Sequence, residues 1–202
     1  ELSFHGGSYS RTPIEDILPL SFKEIEGWFI NQEYPPKNNK QLFNHPILRL
    51  EKDLQLNREV LAALPPLQGA NLGLVAEKDA YVLAEFDNGS ASPTPIIVSG
   101  KFGKGRTALL ATDSVWSWRF RKEGGSRYFH QFWNNFIDWL IAEPQTRRLQ
   151  LESDKDRYQE EQQVLIKFKL LHKNYQPASG VVGRLTVSSR RKEIVAKELT
   201  TD

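Results

Sequence analysis

Cysteine and methionine are both absent from this 202-residue chain. Without cysteine the segment can form no disulfide, no thiolate metal site and no thiol nucleophile of its own. That absence assigns no compartment, because oxidising and reducing compartments both hold cysteine-free proteins. The missing initiator methionine makes the chain read as an excised piece of a longer protein. No apolar run approaches the ~18–20 residues of a membrane span, and no signal-peptide pattern opens the chain. A large charge of one sign is also missing. The formal charge of +2 is too small to argue for a nucleic-acid partner. The four histidines, at 5, 45, 130 and 172, are scattered without metal-ligand spacing. No metal and no cofactor are therefore expected.

Hydrophobic residues make up 39% of the chain, enough to bury a core and to exclude wholesale disorder. Charge is unevenly spread. Residues 1–145 carry 15 Lys and Arg against 17 Asp and Glu, whereas residues 146–202 carry 12 against 8. The hydrophobic period changes at the same place. Across Ser126–Ala142, Phe129, Phe132, Trp133, Phe136, Ile137, Leu140 and Ile141 form a helical stripe, expected to pack against a sheet. After Arg147 the period becomes two, with strands around Arg148–Glu152, Val164–Leu171, Val181–Ser188 and Glu193–Leu199. About four strands suggest the opening of a β-sandwich, a fold that usually needs ~7.

The first part is organised around Gly100–Phe120, GKFGKGRTALLATDSVWSWRF. Gly100, Gly103 and Gly105 suit a tight reversal, and Thr107–Ala111 reads as a buried central strand. Thr112, Asp113 and Ser114 follow abruptly at its carboxyl end, the edge where open α/β sheets gather ligands. Asp113, Ser114, Trp116, Trp118 and Arg119 form a polar–aromatic cluster there. One reading makes it a ligand or peptide edge; the other makes Asp113 a cap and the tryptophans seam fillers. Gly103-Lys104-Gly105-Arg106 precedes a strand and lacks P-loop spacing, so it reads as a hairpin. Arg190-Arg191-Lys192 reads as a solvated turn. Upstream, Thr12-Pro13-Ile14-Glu15 fits a capping box, Asn31–Asn44 a surface loop, and Asn57 the cap of a helix running to Leu64. Leu72–Val75 and Ala80–Phe86 read as two strands around a charged turn.

GGSYSRTPIEDILPL, HPILRL, LPPLQGANLG and GKGRTALLATDSVWSWRF together resemble a bacterial family. These are the class I glutamine amidotransferase-like domains of membrane-anchored proteins, often found beside von Willebrand A-like segments. The resemblance covers roughly residues 4–142. It implies a flavodoxin-like doubly wound sheet, followed by an immunoglobulin-like sandwich. It also implies an inner-membrane anchor outside this chain, with this part on the periplasmic side. An active member needs an elbow cysteine, which would lie before Glu1. It also needs a histidine followed two residues later by a glutamate, where this chain has Asp113-Ser114-Val115. Asp113 is the wrong base for a thiol at neutral pH, and Val115 can orient nothing.

The expected architecture is thus an α/β domain over residues 1–145, truncated at its start, and a partial immunoglobulin-like domain over 146–202. Two functions follow. The first is a non-catalytic amidotransferase-like module that mediates interaction or scaffolding in the bacterial envelope. Its partners would be other envelope proteins or domains of the same longer chain, with no nucleic acid and membrane contact only through other segments. The second is a hydrolase or amidotransferase with relocated groups, drawing on Asp113, Ser114 and His5 or His45. Carbohydrate binding at Trp116 and Trp118 has only the aromatics behind it.

Overall fold

Ile96, Ile97 and Val98 are consecutive β-formers with no exposed surface, and they set the middle of the largest sheet. The computed structural model describes every residue except 1–3, 5–8, 24–27, 88, 90–92, 121–123, 142–146, 156, 160–161, 190–191 and 202. Two units form, residues 1–143 and residues 144–202.

In the first unit the four-stranded sheet has the order β3 (Lys37–Asn38), β6 (Tyr81–Phe86), β7 (Thr94–Phe102) and β8 (Gly105–Leu110). Two further pairs flank it: β1 (Leu20–Phe22) with β5 (Leu74–Ala76), and β2 (Phe29–Tyr34) with β4 (Leu67–Asn71). The helices are α1 (Pro13–Ile17), α2 (Leu54–Ala62) and α3 (Gly125–Leu140), with 3-10 helices at Pro46–Leu48 and Ser114–Phe120. This is a mixed α/β unit with several sheets and few helices. Every described strand pair is antiparallel, so these strands do not themselves build the parallel part of a doubly wound sheet.

Several local expectations change for physical reasons. The strand at Thr107–Ala111 is β8, at the edge of its sheet; β7 is the buried one. Gly100 lies inside β7, where a Cβ would meet Pro19 Cβ at 2.8 Å, so its role is a close approach between chain segments. The reversal falls at Gly103, with φ of 56°. Asn31–Asn44 is not a surface loop: it contains β3 and most of β2, and buries Tyr34, Phe43 and Asn44. The strands β5 and β6 do not pair with each other; β5 joins β1 instead. Thr12 makes no side-chain cap bond to α1. Its hydroxyl donates to the Tyr9 carbonyl, while the Glu15 carboxylate accepts from the Arg11 and Phe22 amides.

The cap of α2 is Asp53, whose Oδ1 accepts from Leu56 N at 2.8 Å. Asn57, expected as that cap, sits one turn inside the helix and is fully buried. Its Oδ1 accepts from the Leu50 and Glu51 amides at 2.8 and 3.0 Å. Its Nδ2 donates to the Phe43 and Leu48 carbonyls at 3.1 and 3.2 Å. One carboxamide thereby satisfies four backbone groups of residues 43–51.

The α3 helix presents Phe132, Phe136 and Trp139 to the core, with Trp133 and Leu140 packed beside them. Ile137 and Ile141, expected in that stripe, are 51% and 64% exposed. Trp139, at i, i+4, i+7 spacing with Phe132 and Phe136, is the buried residue instead, and its carbonyl accepts from Arg106 Nη1 at 2.6 Å.

In the second unit β9 (Leu149–Ser153) pairs with β10 (Ile166–Leu170), and β11 (Val182–Ser189) with β12 (Lys192–Thr200), all antiparallel. The two pairs are not joined into one sheet, and the buried apolar residues there are Leu171, Tyr175 and Ala178. Only the opening of a sandwich was expected here, and the described strands form two separate antiparallel pairs. The Arg190-Arg191 pair lies outside the described residues, as do Ala142 and Pro144.

Two measurements check this packing. Phe132→Ala should cost about 3–5 kcal/mol in chemical denaturation, as buried aromatic truncations do, while Ile137→Ser should stay within about 0.5 kcal/mol. Asn57→Ala leaves four backbone groups without their partner and should cost about 3 kcal/mol or more by the same measurement.

Candidate functional site

Past the end of β8 the chain turns inward. Ala111 N still donates to the Ile96 carbonyl at 2.8 Å, and Thr112 is buried. Ser114 N donates to Thr112 Oγ1 at 3.2 Å, so Thr112 receives the first amide of the 3-10 helix Ser114–Phe120. The side chain of Asp113, the expected cap, is exposed and makes no hydrogen bond among the described residues. The shorter reach of the threonine hydroxyl suits a tight three-residue turn closed from inside.

The Ser114 hydroxyl is buried and committed. It lies 2.8 Å from Thr112 Oγ1 and accepts from Gln68 N on β4 at 2.9 Å. Asn71, also on β4, donates from Nδ2 to the Ala111 carbonyl at 3.1 Å. Its Oδ1 is buried without a partner among the described residues. Tyr34 OH donates to the Gly69 carbonyl at 3.3 Å, and burial pushes its phenol up to about 12, against a smaller opposing effect from Thr112. The tyrosine is therefore a neutral donor across the working pH range. Side chains thus stitch the strand end to β4, and the chemistry they leave is neutral hydrogen bonding.

Three residues per turn separate the aromatics of the 3-10 helix. Val115 and Trp118 face inward. Trp118 is 1% exposed, donates its indole N–H to the Pro65 carbonyl at 3.1 Å and meets Phe132 edge-on at 5.2 Å between centroids. Trp116 and Phe120 face outward, 59% and 72% exposed, as a T-shaped pair 5.9 Å apart. The five-residue edge is therefore divided. Asp113, Trp116 and Arg119 are exposed, whereas Ser114 and Trp118 belong to the interior. Phe120, the last residue of this helix, joins the exposed set. Thr112 was marked as part of the polar strand end, but Asn71, Tyr34 and Gln68 carried no signal, since their meeting with it depends on sheet pairing.

The histidines do not complete this site. His5 lies outside the described residues. His45 is fully buried, with Nδ1 accepting from Ile47 N at 3.3 Å and Nε2 lying 3.3 Å from Ser99 Oγ. Because Nδ1 accepts, the proton sits on Nε2 and is directed at Ser99, not at Ser114. Trp139 and Tyr81 flank the ring. Burial, and secondarily the Arg106 charge, push its pKa from 6.5 to about 3. No group of three or more metal-ligating side chains occurs among the described residues.

The fold and this strand end define an α/β domain with a closed, hydrogen-bonded sheet edge beside an exposed aromatic pair. Residues 2–142 match the GATase1-like family model, described as "Putative glutamine amidotransferase", and the chain belongs to that family. Comparison with curated proteins gives no match. Among solved structures, the chain is similar to Cytoplasmic Protein STM3548 from Salmonella typhimurium at 20% identity and a TM-score of 0.48, covering 65% of this chain and 47% of that one. It is also similar to Cytoplasmic Protein STM1381 from Salmonella typhimurium LT2 at 21% identity and a TM-score of 0.42, covering 69% and 51%. The chain thus spans about half the length of the structures it matches. The expected periplasmic, membrane-anchored location does not stand. Both similar structures are named as cytoplasmic proteins. Separately, no helix among the described residues is long and apolar enough to cross a membrane.

The His45 geometry has a pH consequence. The folded pKa is depressed, so the neutral ring stabilises the fold above the unfolded value of 6.5, and that stability is lost as pH falls toward about 3. Over that window this group should contribute a slope of about 1.4 kcal/mol per pH unit. Urea denaturation at several pH values should show one fewer proton taken up on unfolding in His45→Gln than in the wild type.

Proposed function

We propose that this chain is a non-catalytic member of the amidotransferase-like family whose strand end serves protein interaction. The supporting observation is the division of the 3-10 helix Ser114–Phe120. Its hydroxyl is buried and hydrogen-bonded into β4, while Trp116 and Phe120 stand in solvent flanked by Asp113 and Arg119. Amide hydrolysis through a thioester needs a nucleophile and a base within hydrogen-bond reach of each other. Ser114 has its neighbours in Thr112 and Gln68, and Asp113 projects away from them as an exposed carboxylate. A rigid, amphipathic aromatic pair with a charge of each sign beside it suits recognition of a protein segment by an apolar anchor.

On this reading the antiparallel sheet of the first unit is the flank of a flavodoxin-like arrangement implied by the family. Residues 146–202 are the opening of an immunoglobulin-like sandwich. Leu149, Leu151, Val182, Ile194 and Val195 support the second point, being exposed apolar side chains on paired strands that further strands would cover.

Ammonia release from glutamine by the longer natural protein should stay at the uncatalysed rate. Turnover that disappears in Asp113→Ala while the melting temperature holds would overturn the non-catalytic reading. For the interaction, a photo-crosslinking residue placed at Trp116 in cells should give discrete protein adducts. The exposed Phe102 position serves as the control; equal labelling from both positions would remove Trp116 and Phe120 from any interface.

A further inference from the structure

At the opposite edge of the four-stranded sheet from β8, beside β3, lies a cleft with a volume of about 560 Å³. That size is within the range of small-molecule sites. The segment following β2 and the helix α2 form its walls. Phe43 and Leu61 are buried at its base, Pro36 and Asn38 are half-buried, and Lys40 and Arg58 are exposed. No aspartate or glutamate lines it. Lys37, one residue before Asn38, is engaged with Asp87 at 3.0 Å, but Lys40 and Arg58 have no ion-pair partner among the described residues.

Arg58 is also held in place. Its guanidinium carbon lies 4.0 Å from the centroid of the Phe43 ring. A stacked guanidinium is oriented through its face, so its N–H edge stays available for a planar oxyanion. Phe43 is fixed in turn, because its carbonyl accepts from the buried Asn57 on α2 at 3.1 Å. The Asn38 amide makes one long bond, 3.5 Å to the Leu61 carbonyl, and keeps a second N–H for use in the cleft.

We infer that this cleft binds a small organic oxyanion, with its carboxylate or phosphate between Lys40 and Arg58 and its apolar body against Pro36 and Leu61. Two cations without a neutralising carboxylate supply the attraction. Arg58, positioned by Phe43, supplies the geometry, since a bidentate fork recognises carboxylate and phosphate alike. The apolar lining separates such a ligand from a bare inorganic ion. This site is remote in sequence from the strand end after β8, so it stands or falls independently of the non-catalytic reading.

The test is a titration of the protein with phenyl phosphate and, in a parallel arm, benzoate, followed by amide chemical shifts. Saturable shifts should centre on residues 36–43 and 58–62. Arg58→Gln and Lys40→Gln, both exposed positions, should each weaken binding by about tenfold, the loss expected for one charge-assisted interaction. Arg58→Lys should weaken it too, because a point charge cannot replace the fork. Tighter binding of phenyl phosphate assigns a phosphate monoester, and tighter binding of benzoate assigns a carboxylate. The inference is overturned if neither probe saturates, if the double variant binds as the wild type does, or if benzyl alcohol binds as tightly as the anions.

Discussion

Asn57 is the interaction on which most of the first unit depends. A buried primary amide is costly unless its donors and acceptor are all used, and here they serve four backbone groups of the segment Phe43–Glu51. That segment has little regular structure to satisfy its own amides. Once held by α2, it delivers Phe43, Ile47, Leu48 and Leu50 to the core and aims His45 at Ser99 of β7. Its outer side then receives α3. Tyr128 donates to the Glu51 carboxylate at 2.9 Å, Arg127 pairs with the same group at 2.8 Å, and Asn135 donates to the Arg49 carbonyl. Sheet, α2 and α3 therefore meet on one irregular stretch, and one side chain holds that stretch in shape.

The same economy governs the strand end. Thr112, Ser114 and Asn71 use short polar side chains to fasten the exit from β8 onto β4, where no strand ladder joins them. Both hydroxyls are engaged in hydrogen bonds in this arrangement. It also fixes the start of the 3-10 helix, and therefore the direction in which Trp116 and Phe120 emerge. Structural closure and exposed aromatic surface are two results of one hydrogen-bond arrangement.

Much of the α/β unit was legible in the residues themselves. The apolar period of Ser126–Ala142 marked α3, the glycine-flanked run at Thr107–Ala111 marked β8, and the period change after Arg147 marked four strands at nearly their observed positions. Those signals are local: side-chain periodicity and turn chemistry act over a few residues and survive without knowledge of partners. The abrupt polar residues after β8 likewise marked the strand end. Asp113, the most polar of them, drew the cap assignment, but cap geometry depends on the turn's radius, and Thr112 met it.

What the sequence could not decide is everything that depends on which segments meet. Ile137 was expected in the buried stripe but is 51% exposed, while Trp139, in row with Phe132 and Phe136, is buried beside Arg106. Tyr34 and Asn44 lie in a stretch rich in proline, asparagine and lysine, yet β3 pairing with β6 draws that stretch into the fold. Trp116 and Trp118 are two residues apart and identical in chemistry; the 3-10 turn sends one to solvent and the other to Phe132. The sequence by itself determined α3, β8, the change of period after Arg147 and the four strands that follow it, because those rest on short-range pattern. Tertiary structure alone decided the antiparallel pairing, the role of Asn57 and the division of the aromatic edge, because each depends on how the chain folds back: the strands and Trp118 meet distant segments, and Asn57 meets a loop 6 to 14 residues upstream.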